Sequence, residues 1–87
     1  MRRLMAMEKR SLSLKGHRTS IALEPEFWCI LDALAKEQDQ SLPSLITDVD
    51  ESRITDEYDG GLASALRVLA LKALVLHPTL GKYLDKE

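Results

Sequence analysis

His17-Arg18-Thr19-Ser20-Ile21-Ala22-Leu23 is the stretch on which the fold turns. Side chains alternate along a strand, so His17, Thr19, Ile21 and Leu23 point one way and Arg18, Ser20 and Ala22 the other. One face can lie on an apolar core; the other is small, polar and cationic. No other segment of the sequence reads as a strand. The backbone donors and acceptors of this one must nevertheless be paired, and a second copy of the chain is the simplest partner. The expectation is a two-stranded ribbon shared between two chains.

Outward from that strand the sequence turns helical. Glu24-Pro25-Glu26 ends the strand and opens a first helix, because proline suits a first turn and acidic residues favour the positive end of the helix dipole. The spacing of Phe27, Ile30, Leu31 and Leu34 predicts a helix over 25–38 with one buried stripe. Asp39-Gln40 breaks it. Ser41 is a good N-cap for a second helix with Pro43 in its first turn and Leu42, Leu45, Ile46 and Val49 on its apolar face. That helix is expected to end between Asp50 and Arg53. Residues 54–61 read as an acidic loop within a connector spanning 50–61, closed by Gly60-Gly61. A third helix over 62–77 is apolar almost all round, which predicts burial on more than one side, and Pro78 stops it. Residues 1–16 read as a basic flexible arm jointed at Lys15-Gly16, and 78–87 as a C-terminal tail. No internal repeat is evident.

Composition narrows the function. The chain has 87 residues, 45% of them hydrophobic, and a net charge of −2. So small a domain is marginal by itself, which favours obligate dimerisation as a source of further core. The charge is uneven: residues 1–18 carry six cations against one anion, and the remainder six cations against thirteen anions. A basic arm on an acidic body points to contact with a polyanion through the arm. The single Cys29 excludes an internal disulfide framework and reads as a partly buried structural thiol. The N-terminus starts like a secretory signal, but Glu8, Lys9 and Arg10 interrupt it, and Met5 and Met7 are candidate alternative starts. The apolar run 62–76 is too short and too charged to span a bilayer. A soluble, cytoplasmic protein without membrane contact is expected.

Pairing two copies of the strand antiparallel would put Arg18, Ser20 and Ala22 of each on one face. A two-stranded ribbon is admitted by the major groove of B-DNA. There arginine can bond guanine O6 and N7, serine can donate or accept, and alanine can touch a thymine methyl. Arg10, Lys15 and His17 are candidate phosphate contacts, as are Ser41, Leu42 and Ser44 at the start of the second helix, where N–H groups are free. Ile21, Leu23, Phe27, Leu31, Leu45 and Ile46 are expected to form the core of the dimer.

Thr-Ser-Ile-Ala-Leu-Glu-Pro-Glu-Phe-Trp at 19–28, followed by Gln-Ser-Leu-Pro-Ser-Leu-Ile at 40–46, resembles the ribbon-helix-helix superfamily of the MetJ/Arc type. The run 9–20 and Ser64-Ala65-Leu66-Arg67 are similar to a bacterial group of small ribbon-helix-helix proteins. The resemblance covers about residues 9–76. It implies a mainly α fold, an intertwined homodimer built on one strand and two to three helices per chain, and no cofactor. It also implies base reading by Arg18, Ser20 and Ala22, phosphate contact at Ser41 and its neighbours, and a transcriptional repressor as the function. In typical members a glycine stands where Asp39 or Gln40 stands here, and the connector 50–61 is an insertion.

Trp28 and Phe27 read as core. Asp48, Asp50, Ser52, Asp56 and Asp59 have the spacing of a calcium loop, but Arg53 stands where that loop needs glycine, so no metal site is expected. No catalytic constellation is recognisable and an enzyme is not expected. The alternative function is a protein-interaction module or antitoxin with the same fold, its partner seated on the third helix.

Overall fold

The computed structural model of the chain describes residues 7–57 and 59–86. The expectations that concern Arg2, Arg3 and the signal-like start lie outside these residues. The elements run β1 (Glu8–Leu14), β2 (His17–Leu23), α1 (Pro25–Glu37), α2 (Leu42–Thr55), α3 (Leu62–Leu76) and a 3₁₀ segment, Pro78–Lys86.

Of the flexible arm expected over 1–16, residues 1–6 lie outside the described residues, and the part over 8–14 is corrected: it forms β1, which pairs antiparallel with β2 from Glu8 opposite Leu23 to Leu14 opposite His17. The strand at 17–23 therefore has its partner in its own chain. The cause is alternation plus a turn. Leu12 and Leu14 face inward while Lys9, Ser11 and Ser13 face water. Lys15 (φ 52°) and Gly16 (φ 81°) form a two-residue connection with both residues left-handed, the geometry whose twist matches paired strands. What reads as a flexible joint is a tight hairpin turn.

Each helix then covers part of the hairpin's inner face. α1 opens with Pro25 after Glu24 and buries Trp28, Ile30, Leu31, Ala33, Leu34 and Ala35. It ends by placing Asp39 in the left-handed region (φ 56°), with the Asp39 N–H on the Lys36 carbonyl and the Gln40 N–H on that of Ala35. This is the Schellman closure in which glycine is usual. The Ser41 hydroxyl caps α2 by accepting the Ser44 N–H at 3.1 Å. α2 outruns its expected end, taking Ile54 and Thr55 from the loop. Arg53 bonds Asp50 at 2.8 Å one turn back, and Ser52 donates to Asp56 at 3.2 Å across the helix end.

The core joins Leu14, Ile21 and Leu23 of the hairpin to Trp28, Leu31, Leu45, Ile46, Leu66 and Leu80. The residues expected at a dimer core are thus packed inside one chain, with Phe27 half-buried at its edge. α3 departs from expectation: Leu66, Ala70 and Ala73 are buried, but Leu71, Val75 and Leu76 are 60%, 69% and 74% exposed. The C-terminal tail is a packed element, since Leu80 is fully buried and the Tyr83 carbonyl accepts the Cys29 thiol at 3.3 Å. Among the described residues no single helix is long and apolar enough to cross a membrane.

Candidate nucleic-acid interface

The outer face of the hairpin holds three cross-strand pairs: Lys9 with Ala22, Ser11 with Ser20, and Ser13 with Arg18. All are exposed except Ala22, which is half-buried. The register brings together Arg18, Ser20 and Ala22, as alternation requires. It joins them to β1 residues rather than to second copies of themselves. Lys9, Ser11 and Ser13 escape a sequence reading that overlooks β1; their alternation with Leu12 and Leu14 is the signal that could have found them.

The hairpin carries four cations, and their fates differ. Arg10 sits opposite Ile21 on the inner face, so its expected role as a phosphate contact is corrected. Its guanidinium lies 4.6 Å from the centre of the Trp28 ring and bonds Glu8 at 2.7 Å and Asp32 at 3.1 Å. Burial works against its charge, but the hydrogen bonds and fields of the two carboxylates outweigh this and raise its pKa. Lys15, in the turn, forms an ion pair with Glu51. Lys9 and Arg18 have no ionic partner among the described residues. Both cations left over therefore lie on the outer face.

The expected phosphate contacts do not converge. His17 is exposed beside the turn, in a hollow lined also by Lys15, Thr47, Asp50, Glu51 and Ile54, whose two carboxylates are already paired, Glu51 with Lys15 and Asp50 with Arg53. Ser41, Leu42 and Ser44 stand at the opposite end of α2, about 15 Å along its axis from Glu51 at helical rise. There the Ser44 N–H is taken by Ser41 and the Ser44 hydroxyl donates to Gln40 at 3.0 Å.

The hairpin is held rigidly from behind. The Trp28 indole donates to the Glu8 carbonyl at 2.8 Å, fixing the start of β1 on α1. Arg67, last of Ser64-Ala65-Leu66-Arg67, reaches from α3 to Glu24 at 2.9 Å and lies 5.8 Å from the centre of the Phe27 ring. It ties α3 to the joint between β2 and α1. The calcium-like spacing is spread along α2 rather than folded round a point. Asp50 pairs with Arg53, and the Arg53 guanidinium also reaches the Gly60 carbonyl at 3.5 Å. Among the described residues no group of three or more metal-ligating side chains gathers.

Chemically, the outer face offers two long cations and three hydroxyls on a two-stranded ribbon. Such a ribbon fits the major groove, and these side chains match its base edges.

Among solved structures, the chain is similar to an uncharacterized protein from Bordetella pertussis Tohama I, with 32% identity and a TM-score of 0.70. The match covers 85% of this chain and 60% of that one, so the chain spans less than two thirds of that protein's length. No curated protein matches it. A family model, the ribbon-helix-helix domain, matches residues 7–74. That family is one of DNA-binding regulators rather than an enzyme class, and its members typically dimerise. With that match spanning most of its length, the chain belongs to the ribbon-helix-helix domain family.

Proposed function

We propose that the chain represses transcription by binding duplex DNA sequence-specifically, with the outer face of its hairpin in the major groove. The observation that carries this is the placement of Lys9 and Arg18, exposed and without ionic partners among the described residues, on the face that also presents Ser11, Ser13 and Ser20. Arg18 is suited to guanine, Ser20 to either base edge, and Ala22 to a thymine methyl. The acidic second half of α2, with Asp48, Asp50 and Glu51, and the acidic connector after it disfavour phosphates there and so direct DNA to the hairpin. A gel shift against a randomised duplex library at several salt concentrations tests the proposal. Binding should weaken steeply as salt rises and should be lost in an Arg18→Ala, Ser20→Ala double variant. Equal binding by that variant, or no binding at about 0.1 M salt, would contradict it.

A second reading rests on α3. Its exposed Val68, Leu71, Val75 and Leu76 form an apolar stripe beside a groove between α2 and α3 lined by Leu45, Val49 and Leu69. A stripe of this kind marks a protein contact, and we assign it to a second copy of the chain in a cytoplasmic homodimer. Sedimentation distinguishes that from a foreign partner: Leu71→Glu should convert dimer to monomer. A wild-type chain that is monomeric alone but co-purifies with another protein would favour an interaction module or antitoxin.

A further inference from the structure

The two paired cations of the hairpin are held in different ways. Arg10 is seated: its guanidinium stacks on Trp28, bonds Glu8 and Asp32, and leaves 31% of the side chain exposed. Lys15 is tethered by a single contact. Its ionic partner among the described residues is Glu51 of α2, and the two side chains are 62% and 52% exposed. Glu51 has no second ionic partner among the described residues, since its neighbour Asp50 takes Arg53. An ion pair so open to water favours its closed form by about fivefold at most. Another anion can therefore displace the carboxylate.

Position gives this weak pair a consequence. α2 packs against β1 on the inner side of the hairpin, so Glu51 draws the Lys15 ammonium toward the body of the protein. Lys9 and Arg18 stand on the outer face, with no carboxylate to hold them back. Along the ribbon Lys15 is three residues from Arg18, about 10 Å at strand rise. The major groove is about 12 Å wide. A hairpin seated in that groove thus brings its turn within a lysine's reach of the bordering phosphates.

We propose that Glu51 is an internal competitor for DNA. It holds Lys15 in the free chain, and Lys15 exchanges the Glu51 carboxylate for a phosphate oxygen when the hairpin meets a duplex. This rests on the hairpin facing DNA. The released carboxylate takes up a cation from solution. One anion replaces another beside Lys15, so the new contact adds little net affinity. A phosphate contact strengthens binding to every sequence alike. What Glu51 holds down is therefore the sequence-independent part of binding, while the contribution of Lys9 and Arg18 is not offset. Arg10, held by a ring and two carboxylates, takes no part in the exchange.

The test measures affinity by fluorescence anisotropy for two duplexes, one of arbitrary sequence and one selected from a random library. The full chain is compared with Glu51→Gln, Lys15→Gln, the double variant and Asp48→Asn, at about 0.05 M and about 0.2 M salt. Asp48→Asn removes the same charge from the same helix at a side chain with no ionic partner among the described residues. Glu51→Gln should tighten binding to both duplexes by roughly two- to fivefold at the lower salt, and by less at the higher, where exposed charges are screened. Most of that gain should vanish when Lys15 is also glutamine, and Asp48→Asn should give a smaller gain. Two results would overturn the proposal while leaving DNA binding intact. In one, the gain survives Lys15→Gln or is matched by Asp48→Asn, as general repulsion between helix and phosphates would give. In the other, Glu51→Gln changes neither affinity. Failure of every variant to bind either duplex at the lower salt would overturn both this proposal and the function on which it rests.

Discussion

Trp28 holds β1 from two sides: its indole N–H bonds the Glu8 carbonyl at 2.8 Å while the Arg10 guanidinium covers its ring at 4.6 Å. The first strand, charged as it is, is thereby joined to the core. Trp28→Phe leaves the carbonyl unpaired and the space underfilled, and should cost about 2–4 kcal/mol. Urea unfolding followed by circular dichroism measures this, and amide exchange should quicken more in β1 than in α2. If exchange in β1 is unchanged, the clasp does not hold the strand.

Arg10→Ala separates structure from DNA contact. It removes a stacked cation and two partly exposed ion pairs, worth about 1 kcal/mol together. The slope of DNA affinity against salt should not change. A slope shallower by about one charge would return Arg10 to the phosphate backbone.

The hairpin turn makes a separate prediction. Gly16 has φ 81°, where a side chain is strained. Gly16→Ala should destabilise the fold by about 1–2 kcal/mol. Asp39, at φ 56°, occupies the left-handed residue of the α1 closure, so Asp39→Gly should be neutral or stabilising by up to about 1 kcal/mol. Thermal melts should fall for Gly16→Ala and hold or rise for Asp39→Gly.

Acid should loosen the joint between β2 and α1. The Glu24 carboxyl is held below its ordinary pKa, first by a hydrogen bond to its own backbone and then by Arg67. A pKa lowered in the folded state contributes stability above the unfolded value, and that contribution is lost as pH falls through the folded value. Wild-type stability should therefore decline below the ordinary glutamate range, and Glu24→Gln should flatten that part of the curve. Identical acid limbs in denaturant titrations would show that the Glu24–Arg67 pair is not coupled to folding.

The helices are legible in the sequence because their signals are local. Pro25 and Ser41 mark starts, Pro78 marks a stop, and the spacing of Ile30, Leu31 and Leu34 marks a buried stripe. β1 is obscured because its inward set includes Arg10, whose burial depends on the ring of Trp28 in the next helix, and because Lys15 is an uncommon residue for a left-handed turn position. Without β1, β2 looks unpartnered. The reading face is also halved: Arg18, Ser20 and Ala22 can be placed from alternation alone, whereas Lys9, Ser11 and Ser13 need the register. The fate of Lys15 is set by Glu51, which only the tertiary structure brings near.

The proposed function requires DNA to touch the chain on the outer face of the hairpin. Titrating the isotope-labelled protein with a duplex selected from the random library, and following backbone amide and side-chain resonances by NMR, locates that contact. The predicted result is that the largest shifts fall on Lys9, Ser11, Ser13, Arg18, Ser20 and Ala22, with Val68, Leu71 and Val75 unmoved. Shifts centred on α3, or none on the outer face of the hairpin at saturating duplex, would contradict it.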